Sequence, residues 1–150
     1  MQSTPQADIL RDLVAHLRAA GLPQAPRVRA ALLVGYRRED LDQTTITCVP
    51  GTPDSTRLNR GGVSIDYAID VAIQRAVPTE GEADAGEIRD LDWPSVEAML
   101  ECQRQLLLSL YRFPRAEKVD AKTSGDQEHA RKGVWTSVFT VTIRGTTETL

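Results

Sequence analysis

A chain of 150 residues, 41% hydrophobic and 26% charged, has the composition of one globular domain spanning residues 1–150. It is long enough to bury a core without a structural metal or a disulfide framework. Its 18 basic and 21 acidic residues leave a net charge of −3, which excludes a global attraction to nucleic acid or to an anionic membrane.

Aromatic residues make up only 5%, so the core must come mostly from Leu, Val, Ile and Ala. Cys48 and Cys102 stand far apart and in no metal-ligand spacing, which predicts two buried free thiols. Met1 to Pro5 is polar and lacks the basic start and apolar stretch of a signal peptide. The longest apolar run, Ala30 to Val34, is far too short to cross a bilayer, so no membrane is expected as a partner.

The first predicted element is a helix. Ser3 or Thr4 can cap it, Pro5 suits its first position and Asp8 lies in its first turn. Ile9, Leu10, Leu13, Val14 and Leu17 recur at helical spacing, with Asp12, His16 and Arg18 elsewhere, and Gly21 with Pro23 stops it. Val28 to Tyr36 then reads as a strand whose middle, Ala31 to Val34, is apolar on both faces, as in the interior of a sheet. A polar turn from Arg37 to Gln43 leads to a β-branched strand, Thr44 to Val49. Pro50-Gly51 ends that strand, and composition makes the segment from Thr52 to Gly62 a loop.

Val63 to Val77 carries a plain strand signal. Ile65, Tyr67, Ile69, Val71 and Ile73 alternate with Ser64, Asp66, Ala68, Asp70, Ala72 and Gln74, giving a core face and a mildly acidic one. Pro78 to Asp92 reads as an acidic loop. Asp92 or Ser95 caps a second helix with Pro94 near its start, and Val96, Met99, Leu100, Leu106, Leu107 and Leu110 form its apolar face. Arg115 to Lys132 is polar and reads as irregular. In the last strand, Val134 to Arg144, Trp135, Ser137, Phe139, Val141 and Ile143 share one face. The expected class is α+β: a mostly antiparallel four-stranded sheet with two helices packed on one face, in the order α-β-β-β-α-β, bearing long polar loops.

Convergent chemistry is scarce, and no catalytic, cofactor-binding or metal-binding residue is assigned. His16 and His129 read as solvated surface histidines. Cys48 alternates with Ile46 and points inward, away from nucleophilic use. Glu80, Glu82 and Asp84 have the alternate spacing of a calcium loop, but Ala85 and Leu91 stand where an EF-hand needs Gly and Glu. Asp66 and Asp70 share a strand face about 13 Å apart by strand rise, too far for a glycosidase pair. Gly51 to Thr56 lacks the Gly-Lys-Ser/Thr of a phosphate loop. Basic residues near Arg112, Arg115, Lys118 and Lys122 alternate with acids, which cancels much of their field.

Long loops on a rigid body, without catalytic groups, suit docking onto neighbours. The stretch Asp66-Tyr67-Ala68-Ile69-Asp70-Val71-Ala72-Ile73-Gln74-Arg75 resembles a strand of the tail-terminator or tail-completion proteins of tailed bacteriophages. So does Val134-Trp135-Thr136-Ser137-Val138-Phe139-Thr140-Val141-Thr142-Ile143-Arg144. The resemblance implies a structural, non-enzymatic virion protein at the head–tail junction, made in the host cytoplasm. It implies a ring, typically of six copies, that caps the tail tube and meets the head connector, with DNA passing non-specifically through its lumen. Under it, Arg57, Arg60, Glu80, Glu82, Asp84, Arg115 and Lys118 face neighbouring subunits, and Asp66 and Asp70 line the lumen. Other readings are a neck or head-closure adaptor that binds the portal, and a monomeric cytosolic module that grips a peptide or small ligand.

Overall fold

The computed structural model describes residues 5–34, 43–76, 93–124 and 134–150. Helix α1 (Pro5–Ala19) buries Ile9, Leu13, Val14 and Leu17, the stripe its sequence spacing dictates. Gly21 follows it at φ 65, the left-handed conformation that closes a helix and that Gly adopts without a Cβ penalty. The expected caps Ser3 and Thr4 lie outside the described residues.

Among the described residues six strands make one sheet: β1 (Arg27–Ala30), β2 (Thr45–Pro50), β3 (Asp54–Asn59), β4 (Gly62–Ala76), β5 (Ala116–Ser124) and β6 (Val134–Thr149). The order is β1-β2-β4-β6-β5, with β3 pairing the first part of β4. β4 and β6 form the spine, matched from Gly62↔Thr149 to Ala76↔Val134. Helix α2 (Trp93–Arg112) precedes β5. The α+β class holds, but the sheet is mixed, since β1 runs parallel to β2 while the other pairs are antiparallel.

The structure departs from the sequence expectations in four places. Among the described residues the sheet has six strands, not four, and the order is α-β-β-β-β-α-β-β. Two segments read as polar loops are strands: β3 lies within Thr52–Gly62 and β5 within Arg115–Lys132. Both are edge strands, where an exposed polar sequence is compatible with pairing on one side. The helix arrangement differs as well: α1 lies against β1 and β2 and α2 against β5 at the other margin, and both feed one core.

The fourth departure concerns β1, which ends at Ala30, so that Ala31 to Val34 are not strand; Gly35 and Tyr36 of the expected strand lie outside the described residues. Leu32 and Leu33, expected inside the sheet, are 81% and 78% exposed. The ladder explains the stop. Arg27 N–H donates to Thr44 O and Ala31 N–H to Cys48 O, so the next parallel bond would need an N–H from residue 50. Pro50 has none.

The core joins Leu13 and Leu17 of α1, Cys102, Leu106 and Leu110 of α2, and Ile69, Val71, Ile73, Phe139 and Val141 of the spine. Truncating one such Leu or Ile to Ala costs about 2–5 kcal/mol. The opposite face is buried at its centre as well, through Thr45, Thr47, Ala72, Gln74 and Thr136. There Gln74 Nε2 donates to Thr136 Oγ1 at 3.2 Å.

Candidate functional site

The body of the molecule ends at the level of Tyr67 and Ile143. Ala116 opens β5 opposite Ile143, and Pro50 closes β2 opposite Ile69. Beyond that level β4 and β6 continue with β3 as their third strand, which makes a projecting arm of Gly62–Asp66, residues 145–149 and β3. At about 3.3 Å per residue the arm extends roughly 16 Å. Every residue of β3 is exposed, and Val63 and Ile65 are only half-buried.

A bulge sets the base of the arm. Ile65 pairs with Thr146 but Tyr67 pairs with Ile143, so one residue of β4 faces two of β6. The extra residue is Gly145, whose N–H donates to Asp66 Oδ1 at 2.9 Å. A Cβ at Gly145 would overlap the Ile65 carbonyl, so only Gly allows the strands this close.

The tip follows from local sequence. Asn59 pairs with Gly62 across a two-residue turn of Arg60 and Gly61. Asn59 Oδ1 accepts from Gly61 N–H at 2.8 Å, the side-chain turn that Asn favours. A register shift between Arg57 and Asn59 leaves Leu58 out of the ladder and 55% exposed. Arg57 Nε donates to Asn59 O at 3.2 Å. The fold thus gathers Arg57, Leu58 and Arg60 on one exposed turn.

The remaining candidates are dispersed. Arg115 pairs with Asp12 at 3.0 Å, tying the end of α2 to α1, and Lys118 pairs with Asp120 at 3.3 Å. Such exposed pairs contribute about 0–1 kcal/mol each. Asp70 accepts from Lys122 Nζ and from Thr140 Oγ1, both at 2.8 Å. Asp66 and Asp70 are therefore each engaged within the sheet. Glu80, Glu82, Asp84 and His129 lie outside the described residues.

His16 is not a solvated histidine. Its Nε2–H donates to Ser109 O at 2.8 Å, and its ring stacks on Phe113 with centroids 5.3 Å apart, bridging α1 to α2. Burial pushes the Cys48 thiol up to about 12, with the Arg18 charge opposing that shift, and burial likewise raises Cys102. A cleft of 270 Å³ lies at the end of α1, lined by Leu17, Arg18, Leu22 and Val28 among others. Among its described lining residues Arg18 is the charged one, and its guanidinium donates to Val28 O through Nε at 3.2 Å and Nη2 at 3.0 Å. Among the described residues no three His, Cys, Asp or Glu side chains converge as a metal ion requires, and no helix is long and apolar enough to cross a membrane.

Sequence reading missed an outward stripe on α2. Leu100, assigned there to the apolar face, is 48% exposed, as is Trp93 at 45%. The buried positions Met99, Cys102, Leu106, Ser109 and Leu110 step by three and four, and Leu100 falls one residue off that register. Glu97 lies between Trp93 and Leu100 on the outward side. Compared with known proteins, the chain matches no family model and no curated protein.

Proposed function

We propose that the chain is a structural subunit that self-assembles through its β3–β4–β6 arm. The observation that carries this reading is the arm itself: a three-stranded projection, fully exposed along β3, set by a bulge that tolerates only Gly145. A short sheet with β3 exposed and Val63–Asp66 only half-buried gains little from folding by itself. Its edge presents unpaired N–H and C=O groups that invite a partner strand or surface. An arm of this kind is best accounted for by a neighbour that covers it.

The place of assembly comes from the strand resemblance. In that reading the subunits close a ring on the end of a phage tail tube and meet the head connector, so tube growth stops there. Arg57 and Arg60, brought together at the arm tip, are the charges that set the register between neighbours. Modest contacts suffice, because a closed ring makes all of them at once.

The test is solution mass by light scattering after size exclusion over a wide concentration range, followed by addition of the protein to polymerising tail tubes. A closed multiple of 16.5 kDa is expected, falling to the monomer on reversal of both arginines to Glu. Tubes should stop lengthening when it is added. A monomer at every concentration that leaves tube growth unaltered would overturn the reading.

A further inference from the structure

Two exposed patches of the chain complement each other and cannot meet within one copy. The arm tip offers Arg57, Leu58 and Arg60. The outward stripe of α2 offers Trp93, Glu97 and Leu100, one helical face by their spacing. Glu97 makes no ion pair among the described residues, whereas neighbouring Glu101 is held by Arg104 at 2.9 Å.

Their positions decide how they can be used. The last turn of α2 lies at the base of the arm, because Phe113 leads directly to Ala116 opposite Ile143. The helix spans about 30 Å and runs from there away from the arm: Arg115 meets Asp12 and Ser109 meets His16, successive turns of α1, whose start at Gln6 lies on Gly51 beside the arm base. From Gly62 at the tip to Arg75 is about 43 Å along β4. The tip and the stripe are thus at opposite ends of the molecule, and contact between them is necessarily contact between two copies.

We infer that the Arg57–Leu58–Arg60 turn of one copy seats on the Trp93–Glu97–Leu100 stripe of the next, making a head-to-tail contact. The inference rests on the assembly reading and assigns the two surfaces that it uses. Leu58 fills the gap between Trp93 and Leu100, one arginine pairs with Glu97, and the other lies over the Trp93 ring, where a guanidinium is attracted to the indole face. Trp and Arg are the residue types that most often anchor interfaces. Because the two patches differ, the contact is heterologous, the kind that closes rings when its rotation is a whole fraction of a turn.

The test uses two full-length variants, Leu58→Cys and Leu100→Cys. The native cysteines are buried, so the introduced thiols are the accessible ones. Each variant is oxidised alone and after mixing, with light scattering in parallel. A disulfide-linked dimer in the mixture, absent from either variant alone, is expected. Restoration of assembly to Arg57→Glu/Arg60→Glu by Glu97→Arg would agree with it. Oligomers without the mixed cross-link would overturn the tip-to-stripe contact while leaving self-assembly standing. A monomer throughout, with no cross-link even when tail tubes are present and growing unaltered, would overturn both.

Discussion

At Gly145 the spacing of two strands depends on one missing carbon. A Cβ there would overlap the Ile65 carbonyl and approach Asp66 Oδ1 to 2.7 Å, and backbone cannot yield as a flexible side chain does. Gly145→Ala is expected to lose about 3 kcal/mol of stability in denaturant titration, and Asp66→Ala about 1–3 kcal/mol through the lost charged acceptor. Cys48 gives a second prediction at this scale. Its pKa of about 12 means that the folded state holds the proton more tightly than the unfolded chain, whose thiol titrates near 9. The contribution to stability is complete below pH 9 and fades as pH climbs from there toward 12. Alkylation at pH 8 should therefore proceed only when the chain is unfolded, and fast labelling of the native protein would contradict the burial.

Among the elements, β1 shows how one residue on a neighbouring strand ends another. Pro50 faces β1 with a nitrogen that cannot donate, so pairing stops after Ala31 and the leucines beyond it are left exposed. Pro50→Val supplies the missing N–H, and its amide should become protected in hydrogen exchange, with Ala31 O as acceptor. Fast exchange at residue 50 would mean that something other than the proline stops the ladder. On α2, the Glu101 carboxyl is held down at about 2 by hydrogen bonds from Arg104 and then Gln105. Its contribution is present above the ordinary carboxylate pKa and is lost as pH falls toward 2. A Glu101→Gln variant should melt slightly below the parent at pH 7 and level with it at pH 2, by circular dichroism.

Over the whole molecule, stability is uneven. At the centre of the spine, Ile69, Val71 and Ile73 with Phe139 and Val141 are buried in the core shared with the helices, and β2 and β5 flank them, while the arm shares the same strands with little over them. Amides of Val63–Ile65 and Thr147–Thr149 should exchange much faster than those of Ile69–Ile73 in the dilute monomer, and slow on assembly. Equal protection of arm and body at all concentrations would show that the arm is stabilised without a neighbour.

By itself the sequence determined whatever depends on local periodicity: the faces of α1, β4 and β6, the glycine stop at Gly21 and the inward Cys48. Only the tertiary structure decided the rest, since pairing is not written in a strand's own residues. Asp54–Asn59 and Ala116–Ser124 are too polar to declare themselves as strands and become so by adding to β4 and β6. Pro50 reads as the end of its own strand, but its effect on Ala31–Val34 depends on a parallel register that no local pattern specifies. Arg57 and Arg60 were legible as a charged pair. That they stand at the tip of an arm, at the opposite end of the molecule from Trp93 and Leu100, follows from two long strands outrunning the helices packed on them.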